Sequence, residues 1–439
     1  MGSRGFARRV CLATVAAVSL GAAALGAGAG DLRNEDIFVG IVNFRDRRCG
    51  VTLANLFGKA RFPSRLSVGV IDYTHTEDDT SDCVRDFCKA MGGRGQCEAF
   101  KPQIKMVVVS FLDARGPAMA RFLQESLLKD QEFCLQVDAH SDFIQDWDVD
   151  AIKTWRALDN EYGVLSTAPP GLDKLQPGAA AAAAADPHVD HLCQATVTKM
   201  GMVRNVAPVR VAVSDIAQSR DKIIAPLWSA GFSFSKCHAV KKTPYDPSLL
   251  YLFDGEEYAM FARLWTRGYD VYTPSHTIVA HDYGTELFAK LLPEKESAMS
   301  AAGKKIDFWS WAKQGQSREY MRAMYDEAFG HVSTMLGSST AEGGAAAGVG
   351  KSELALIGKY GLGNKRTLEQ LIDFTGVDTR NGKVFADRCG IKLQIVPFEH
   401  DADPRLEDGD VWGRAGEELE AGGGDIPLVD GGGVSFFSG

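Results

Sequence analysis

The feature that most restricts how this chain can fold is an alternation of two kinds of segment through its first half. Short runs of Val, Ile, Leu and Phe (IFVGIVNF within residues 36–44, LSVGVIDY at 66–73, IKMVVVSF at 104–111) are separated by stretches with apolar residues at helical spacing. Such runs are short, continuous and β-branched, which predicts strands buried on both faces. Residues 47–57 predict a helix through Val51, Leu53, Leu56 and Phe57, and residues 117–129 another through Met119, Phe122, Leu123, Leu127 and Leu128. Further strands are expected at 132–137, ending in Asp138, and at 163–167, 271–273 and 277–280, while residues 232–234 and 249–253 lead into a helix over about 255–267. Strands alternating with helices imply an α/β domain with a parallel or mixed sheet covered by helices. In such sheets ligands bind beyond the carboxyl ends of the strands, where Asn43, Arg45 and Asp138 stand.

The flanks carry less pattern. Arg4, Arg8 and Arg9 precede an uncharged Ala/Gly-rich stretch, so residues 1–30 read as a signal peptide or a signal anchor. One of the nine cysteines, Cys11, lies in this leader, and the remaining even number suits disulfides in an oxidising compartment, with buried free thiols as the alternative. Residues 74–95 read as a polar loop, and a local disulfide is expected among Cys83, Cys88 and Cys97. The domain is expected over 36–335, interrupted by a low-complexity surface insertion at about 169–190 that contains a polyalanine run. Residues 337–349 read as a linker and 350–398 as a small C-terminal unit. In that unit Thr367 and Gln370 form a capping-box pattern. The acidic, Gly-rich residues 400–439 read as disordered. The net charge is −9 and no long basic run exists, which argues against a nucleic-acid partner.

Four motifs could carry chemistry. Gln136-Val-Asp138-Ala-His140 places a carboxylate and an imidazole two residues apart at a strand end, a donor pair suited to a borderline divalent ion. His281 also follows an apolar run, in Ile278-Val-Ala-His-Asp-Tyr283. Asp254-Gly-Glu256-Glu257 opens a helix, where acids are also favoured simply by the helix dipole. Arg115 and Arg121 bracket a helix start, a location that attracts phosphate.

In order and spacing these motifs resemble the nucleotide-sugar glycosyltransferases of GT-A type. They resemble most the family that adds α-linked N-acetylglucosamine to hydroxyproline, and more distantly the polypeptide N-acetylgalactosaminyltransferases. The stretches that carry the resemblance are FVGIVNFRDRRC (38–49), EFCLQVDAHSDF (132–143), AGFSFS (230–235), FDGEEYAMFARLWTRGYD (253–270) and GKYGLGNKRTLEQ (358–370). The resemblance covers roughly residues 36–283 and again 358–374. Asp254 departs from the pattern, standing where the family has an apolar residue.

The resemblance implies a Rossmann-like GT-A domain with a mixed central sheet, and a UDP-sugar donor, UDP-N-acetylglucosamine first. It implies Mn²⁺ or another divalent cation held by Asp138, His140 and His281. Arg121 and Arg115 would face the UDP, Asn43 and Arg45 the uridine, and Gly231 the donor sugar. Glu256 and Glu257 would be the catalytic carboxylates that hold sugar hydroxyls or orient the acceptor. The implied reaction retains anomeric configuration and glycosylates a polypeptide hydroxyl, at hydroxyproline, Ser or Thr. It proceeds either through a covalent intermediate or on one face of the sugar. The leader places this in the secretory pathway, in the Golgi lumen or outside the cell, rather than in the cytoplasm. The alternative is a non-catalytic nucleotide- or glycan-binding protein on the same fold.

Overall fold

In the computed structural model the described residues are 35–74, 83–175, 188–219, 222–283, 317–338, 359–398 and 435–437. The leader, the polyalanine run and most of the linker and tail lie outside them. Among the described residues, no helix is long and apolar enough to cross a membrane.

The apolar runs form an eight-stranded mixed sheet. Its strands are β1 (Ile37–Phe44), β2 (Leu66–Thr74), β3 (Ile104–Ser110), β4 (Phe133–Asp138), β6 (Gly163–Ser166), β7 (Phe232–Lys236), β8 (Asp270–Tyr272) and β10 (Ser435–Phe437). Their order across the sheet is β8-β6-β7-β4-β1-β2-β3-β10. β1 runs parallel to β2 and β4, and β2 parallel to β3. β7 is antiparallel to both β4 and β6, which makes the sheet mixed as expected. Two short strands, β5 (Ser141–Phe143) and β9 (Val279–His281), form a separate antiparallel ribbon just past the end of β4. The helices used below are α1 (Cys49–Lys59), α2 (Pro117–Glu125), α3 (Trp147–Arg156), α4 (Glu256–Thr266), α5 (Arg318–Met335) and α6 (Leu368–Thr375).

Register places the polar strand ends together. Asn43 lies opposite Asp72, and Asp138 opposite Val42, so the carboxyl ends of β1, β2 and β4 share one edge of the sheet. One hydrophobic core joins α1, α3, α4 and α6 to the sheet. Leu371, Phe374, Val377 and Leu393, from the region expected as a small C-terminal unit, belong to this same core. Arg366 anchors that region: its guanidinium bonds Asp270 at 2.8 Å and lies over the Trp265 ring. The capping box at Thr367 and Gln370 is present.

Three expectations need correction. Residues 74–95 are not all loop, because Cys83–Ala90 is helical, with Phe87 packed on Phe57. Its polar composition hid a helix that packing and cystines hold. The insertion ends earlier than residue 190, since His188–His191 pairs with Val209–Ala212 and His191 is fully buried. Of the tail, Ser435–Phe437 pairs antiparallel with β3. Four disulfides use every cysteine outside the leader: Cys49–Cys83, Cys88–Cys97, Cys134–Cys237 and Cys193–Cys389. The local bridge is therefore Cys88–Cys97, and the free-thiol alternative is excluded. Four cystines suit an oxidising, secretory-type environment.

Candidate active site

The site is built on the last residue of β4. Asp138 ends the strand, and the chain turns through Ala139 and His140 into β5. The β5–β9 ribbon sets His281 opposite Ser141, which carries His281 back over His140. His281 is held there by its own amide, which donates to Pro170 O at 2.8 Å, while the Asp282 amide donates to His140 O at 2.9 Å.

The three side chains converge. His140 Nε2 and His281 Nε2 are 2.8 Å apart, and His281 Nε2 is 3.2 Å from Asp138 Oδ2. One donor atom from each lies within 4.8 Å of the others, so the group could hold a metal ion. Separations near 3 Å are those of neighbouring ligands that share one ion at roughly 2.1 Å. One carboxylate with two imidazoles suits a borderline ion such as Mn²⁺. The donor set thus fits the cation expected from the sequence.

Arg121 projects from α2 onto the same carboxylate. Its Nη2 donates to Asp138 Oδ1 at 2.9 Å and to Ala230 O at 3.3 Å, and its buried Nη1 has no hydrogen-bond partner. Burial would raise the Asp138 pKa, but the His281 hydrogen bond and the charges of Arg121 and the two histidines outweigh it and hold the carboxyl well below its usual range. Burial would lower His140; the hydrogen bond to Asp46 and the charges of Asp138, Asp46 and Asp282 raise it instead.

The other expected residues divide. Glu257 is bonded through both oxygens: Oε1 accepts from Ser229 Oγ at 3.0 Å and from the Ala230 amide at 2.9 Å, and Oε2 accepts from Asn205 at 2.8 Å. It fixes the turn that carries Gly231, where a Cβ would lie 3.1 Å from Pro169 Cδ and 3.4 Å from Asp138 Oδ2. Glu256 is buried and its Oε1 has no hydrogen-bond partner. Burial, against the lowering charge of Arg121, pushes its carboxyl up to about 7. Both acids follow Gly255, whose positive φ of 96° and closeness to Met202 Sδ, 2.6 Å from a built Cβ, leave room for glycine only. Asp254 faces outward beside Arg204, at 3.5 Å, so its polar side chain does not disturb the packing there.

Asn43 is fully buried and donates to Asp72 Oδ1 at 2.8 Å. Arg45 lies over the Phe111 ring at 4.5 Å. Arg115 is not brought to the cluster: Nη1 donates to Leu112 O at 3.1 Å and Ala114 O at 3.3 Å, and Asp113 is 3.8 Å away. Two residues that sequence reasoning missed touch the site. Asp46 Oδ2 accepts from His140 Nδ1 at 2.7 Å, and Arg48 bridges Asp142 at 2.6 Å and Asp282 at 3.3 Å. In the sequence they sit inside the charged run Arg45-Asp46-Arg47-Arg48, where the first strand gives way to the expected helix, and no motif singles them out.

Behind Arg121, Glu125 accepts from the Tyr245 amide at 2.9 Å. Burial lifts its carboxyl from 4.5 to about 8, against the lowering effect of that hydrogen bond and of Arg263. A carboxyl raised on folding contributes stability that is complete below the unfolded value and is lost as pH climbs through the folded one. Unfolding free energy is expected to fall between about pH 5 and 8, with Glu125 contributing at most ~1.4 kcal/mol per pH unit. Glu125→Gln keeps an acceptor oxygen but cannot ionise. Urea midpoints measured across that range should show a shallower slope in this variant than in the wild type.

The sequence matches the model of the Glycosyltransferase (GlcNAc) family over residues 36–381, which is most of the chain, and the protein belongs to that family. A search of curated protein sequences finds no match. Among solved structures, the chain is similar to the crystal structure of GalNAc-T7 with UDP, GalNAc and Mn²⁺, at 12% identity and a TM-score of 0.48, covering 78% of this chain. It spans only 57% of that GalNAc-T7 chain. It is also similar to the mannosyltransferase PcManGT from Pyrobaculum calidifontis in complex with GDP-Man and Mn²⁺, at 15% identity and a TM-score of 0.36, covering 73% of this chain and 78% of that one. A third is S. aureus TarS 1-349 in complex with UDP-GlcNAc, at 12% identity and a TM-score of 0.37, covering 68% and 81%.

Proposed function

We propose that the protein is a GT-A glycosyltransferase that moves N-acetylglucosamine from UDP-N-acetylglucosamine to a polypeptide hydroxyl, with retention of configuration, in the secretory pathway. The observation that carries this reading is the meeting of Asp138, His140, His281 and Arg121 at the carboxyl end of β4, in a member of a GlcNAc-transferase family.

Sugar transfer builds negative charge on the departing UDP. A divalent ion held by Asp138, His140 and His281 would supply Lewis-acid neutralisation of that charge. Arg121 adds a fixed guanidinium beside Asp138, already desolvated and held in place before reaction, so little reorganisation is needed as the charge develops. A side chain at Gly231 would crowd Pro169 and Asp138 Oδ2, so glycine there would leave room for the donor sugar, and Glu257 holds that turn through Ser229 and Ala230. Glu256, with a buried carboxyl poised near neutrality and an oxygen free of protein partners, would orient a sugar or acceptor hydroxyl. No carboxylate among these is placed as an obvious nucleophile, which favours a same-face reaction in which the leaving phosphate accepts the acceptor's proton. The four cystines support an oxidising compartment, and with it a secretory acceptor at hydroxyproline, Ser or Thr. Incubating the protein with UDP-N-acetylglucosamine, Mn²⁺ and a peptide library containing those residues tests the reading by mass spectrometry. An α-linked glycopeptide is expected; free sugar and UDP alone, with no peptide product, would contradict it.

A further inference from the structure

We propose that the turn joining β1 to α1 is the positioning element of the metal centre, with Asp46 as the residue that sets His140 for ion binding. The inference rests on the metal-dependent reading above.

Asp46 is itself buried and held by two hydrogen bonds. It is 7% exposed, its amide donates to Asn43 Oδ1 at 3.1 Å, and its Oδ1 accepts from the Arg48 amide at 2.8 Å. Asn43 is in turn held by Asp72, whose other oxygen accepts from the Cys83 amide at 3.3 Å. That leaves Oδ2 aimed at His140 Nδ1, at 2.7 Å. A carboxylate there accepts a hydrogen bond from Nδ1–H and keeps the ring proton on Nδ1, so the neutral ring presents a bare Nε2 toward His281 and Asp138.

The rest of the turn grips the backbone and flanks of the same loop. Arg48, Thr52 and Asn55 follow at spacings of four and three, one face of a helix. Arg48 bonds Asp142 and Asp282, the residues beside Ser141 and His281. Thr52 Oγ1 donates to Ala139 O at 2.8 Å and accepts from the Ser141 amide at 3.0 Å, so one hydroxyl holds the chain on both sides of His140. Asn55 Oδ1 accepts from the Phe143 amide at 2.7 Å. Four side chains from one turn and one helix face therefore hold the loop that carries His140, and Arg48 reaches the strand that carries His281.

This arrangement makes an unusual ranking of variants. In Asp46→Asn one oxygen becomes an NH₂. If the oxygen stays on the Arg48 amide, the NH₂ donates to His140 Nδ1 and drives the ring proton onto Nε2, where it blocks the ion. If the amide flips, NH₂ opposes the Arg48 N–H. Asp46→Ala removes the acceptor without adding an opposing donor. The probe is Mn²⁺ itself, with UDP present, followed by the EPR signal of free Mn²⁺; metal-free melting temperatures verify that each variant folds. Asp46→Asn is expected to weaken Mn²⁺ binding about 10–100-fold, and Asp46→Ala by less. Thr52→Val, nearly isosteric, is expected to weaken it about 3–10-fold and serves if the Asp46 variants do not fold. A packing role would give the reverse order, since Asn is the closer isostere. The proposal is overturned if Asp46→Asn binds like wild type, if it binds better than Asp46→Ala, or if Thr52→Val binds like wild type. Absence of Mn²⁺ binding by the wild type would instead remove the metal reading itself, and this proposal with it.

Discussion

Replacing Arg121 by Ala is expected to lower kcat/KM for sugar transfer roughly 10²–10³-fold, about 3–4 kcal/mol of transition-state stabilisation. The guanidinium is 5% exposed, so its field is barely screened by water, and it sits 2.9 Å from Asp138 Oδ1. Its buried Nη1 makes no hydrogen bond to the protein. Removal also releases the Ala230 carbonyl, although Gln136 still donates to it at 2.9 Å. The turn carrying Gly231 should therefore persist, and the loss should fall on kcat more than on donor KM. Steady-state kinetics at saturating Mn²⁺ check this. A loss confined to KM would mean that Arg121 binds ground state and transition state alike.

The second large effect is structural. Asp270→Ala is expected to destabilise the protein by about 3–5 kcal/mol, read as a lowered urea midpoint. The Arg366 side chain is 0% exposed and lies over both Trp265 and Phe398. Its remaining partners are carbonyls: Trp265 O at 3.1 Å, Val396 O at 2.9 Å and Tyr269 O at 3.5 Å. Without Asp270 a buried cation keeps hydrogen bonds but loses its counter-charge. Asn160 Nδ2 would lose its 3.0 Å acceptor on Asp270 as well, retaining Tyr272. Pairing the change with Arg366→Met should restore much of the loss, because a well-packed apolar replacement of an ion pair is often neutral. A double variant as unstable as the single one would show that the packing, not the charge, is at stake.

These two sites mark how far the sequence could be read. The sheet was legible because β1, β2 and β3 are continuous β-branched runs, a pattern little else produces. Asp138 and His281 stand out because each ends such a run, but their joining with His140 as one ligand set is what the resemblance to the GT-A glycosyltransferases implies. Their meeting depends on the β5–β9 ribbon, three residues per strand, too short to announce itself by periodicity. Asp46 and Arg48 were missed for a different reason. They belong to no chemical motif, and only the fold reveals that the start of α1 and one of its faces turn toward residues 139–143. Glu257, expected as a catalytic carboxylate, accepts from Ser229, the Ala230 amide and Asn205, and Arg115, expected to face the UDP, donates to the carbonyls of Leu112 and Ala114; neither set of partners shows in the sequence. Arg366, within the stretch resembling the family, holds the C-terminal region onto α4 rather than touching the site.

The most direct test of the account is UDP release from UDP-N-acetylglucosamine and a panel of other UDP-sugars, with and without Mn²⁺, comparing wild type with Asp138→Ala. Slow donor hydrolysis needs no acceptor, so the assay does not depend on knowing one. The account predicts Mn²⁺-dependent release from UDP-N-acetylglucosamine that Asp138→Ala reduces at least about 10³-fold. Release that is independent of metal and unchanged in Asp138→Ala, or no release together with no metal-dependent UDP binding by the wild type, would contradict it.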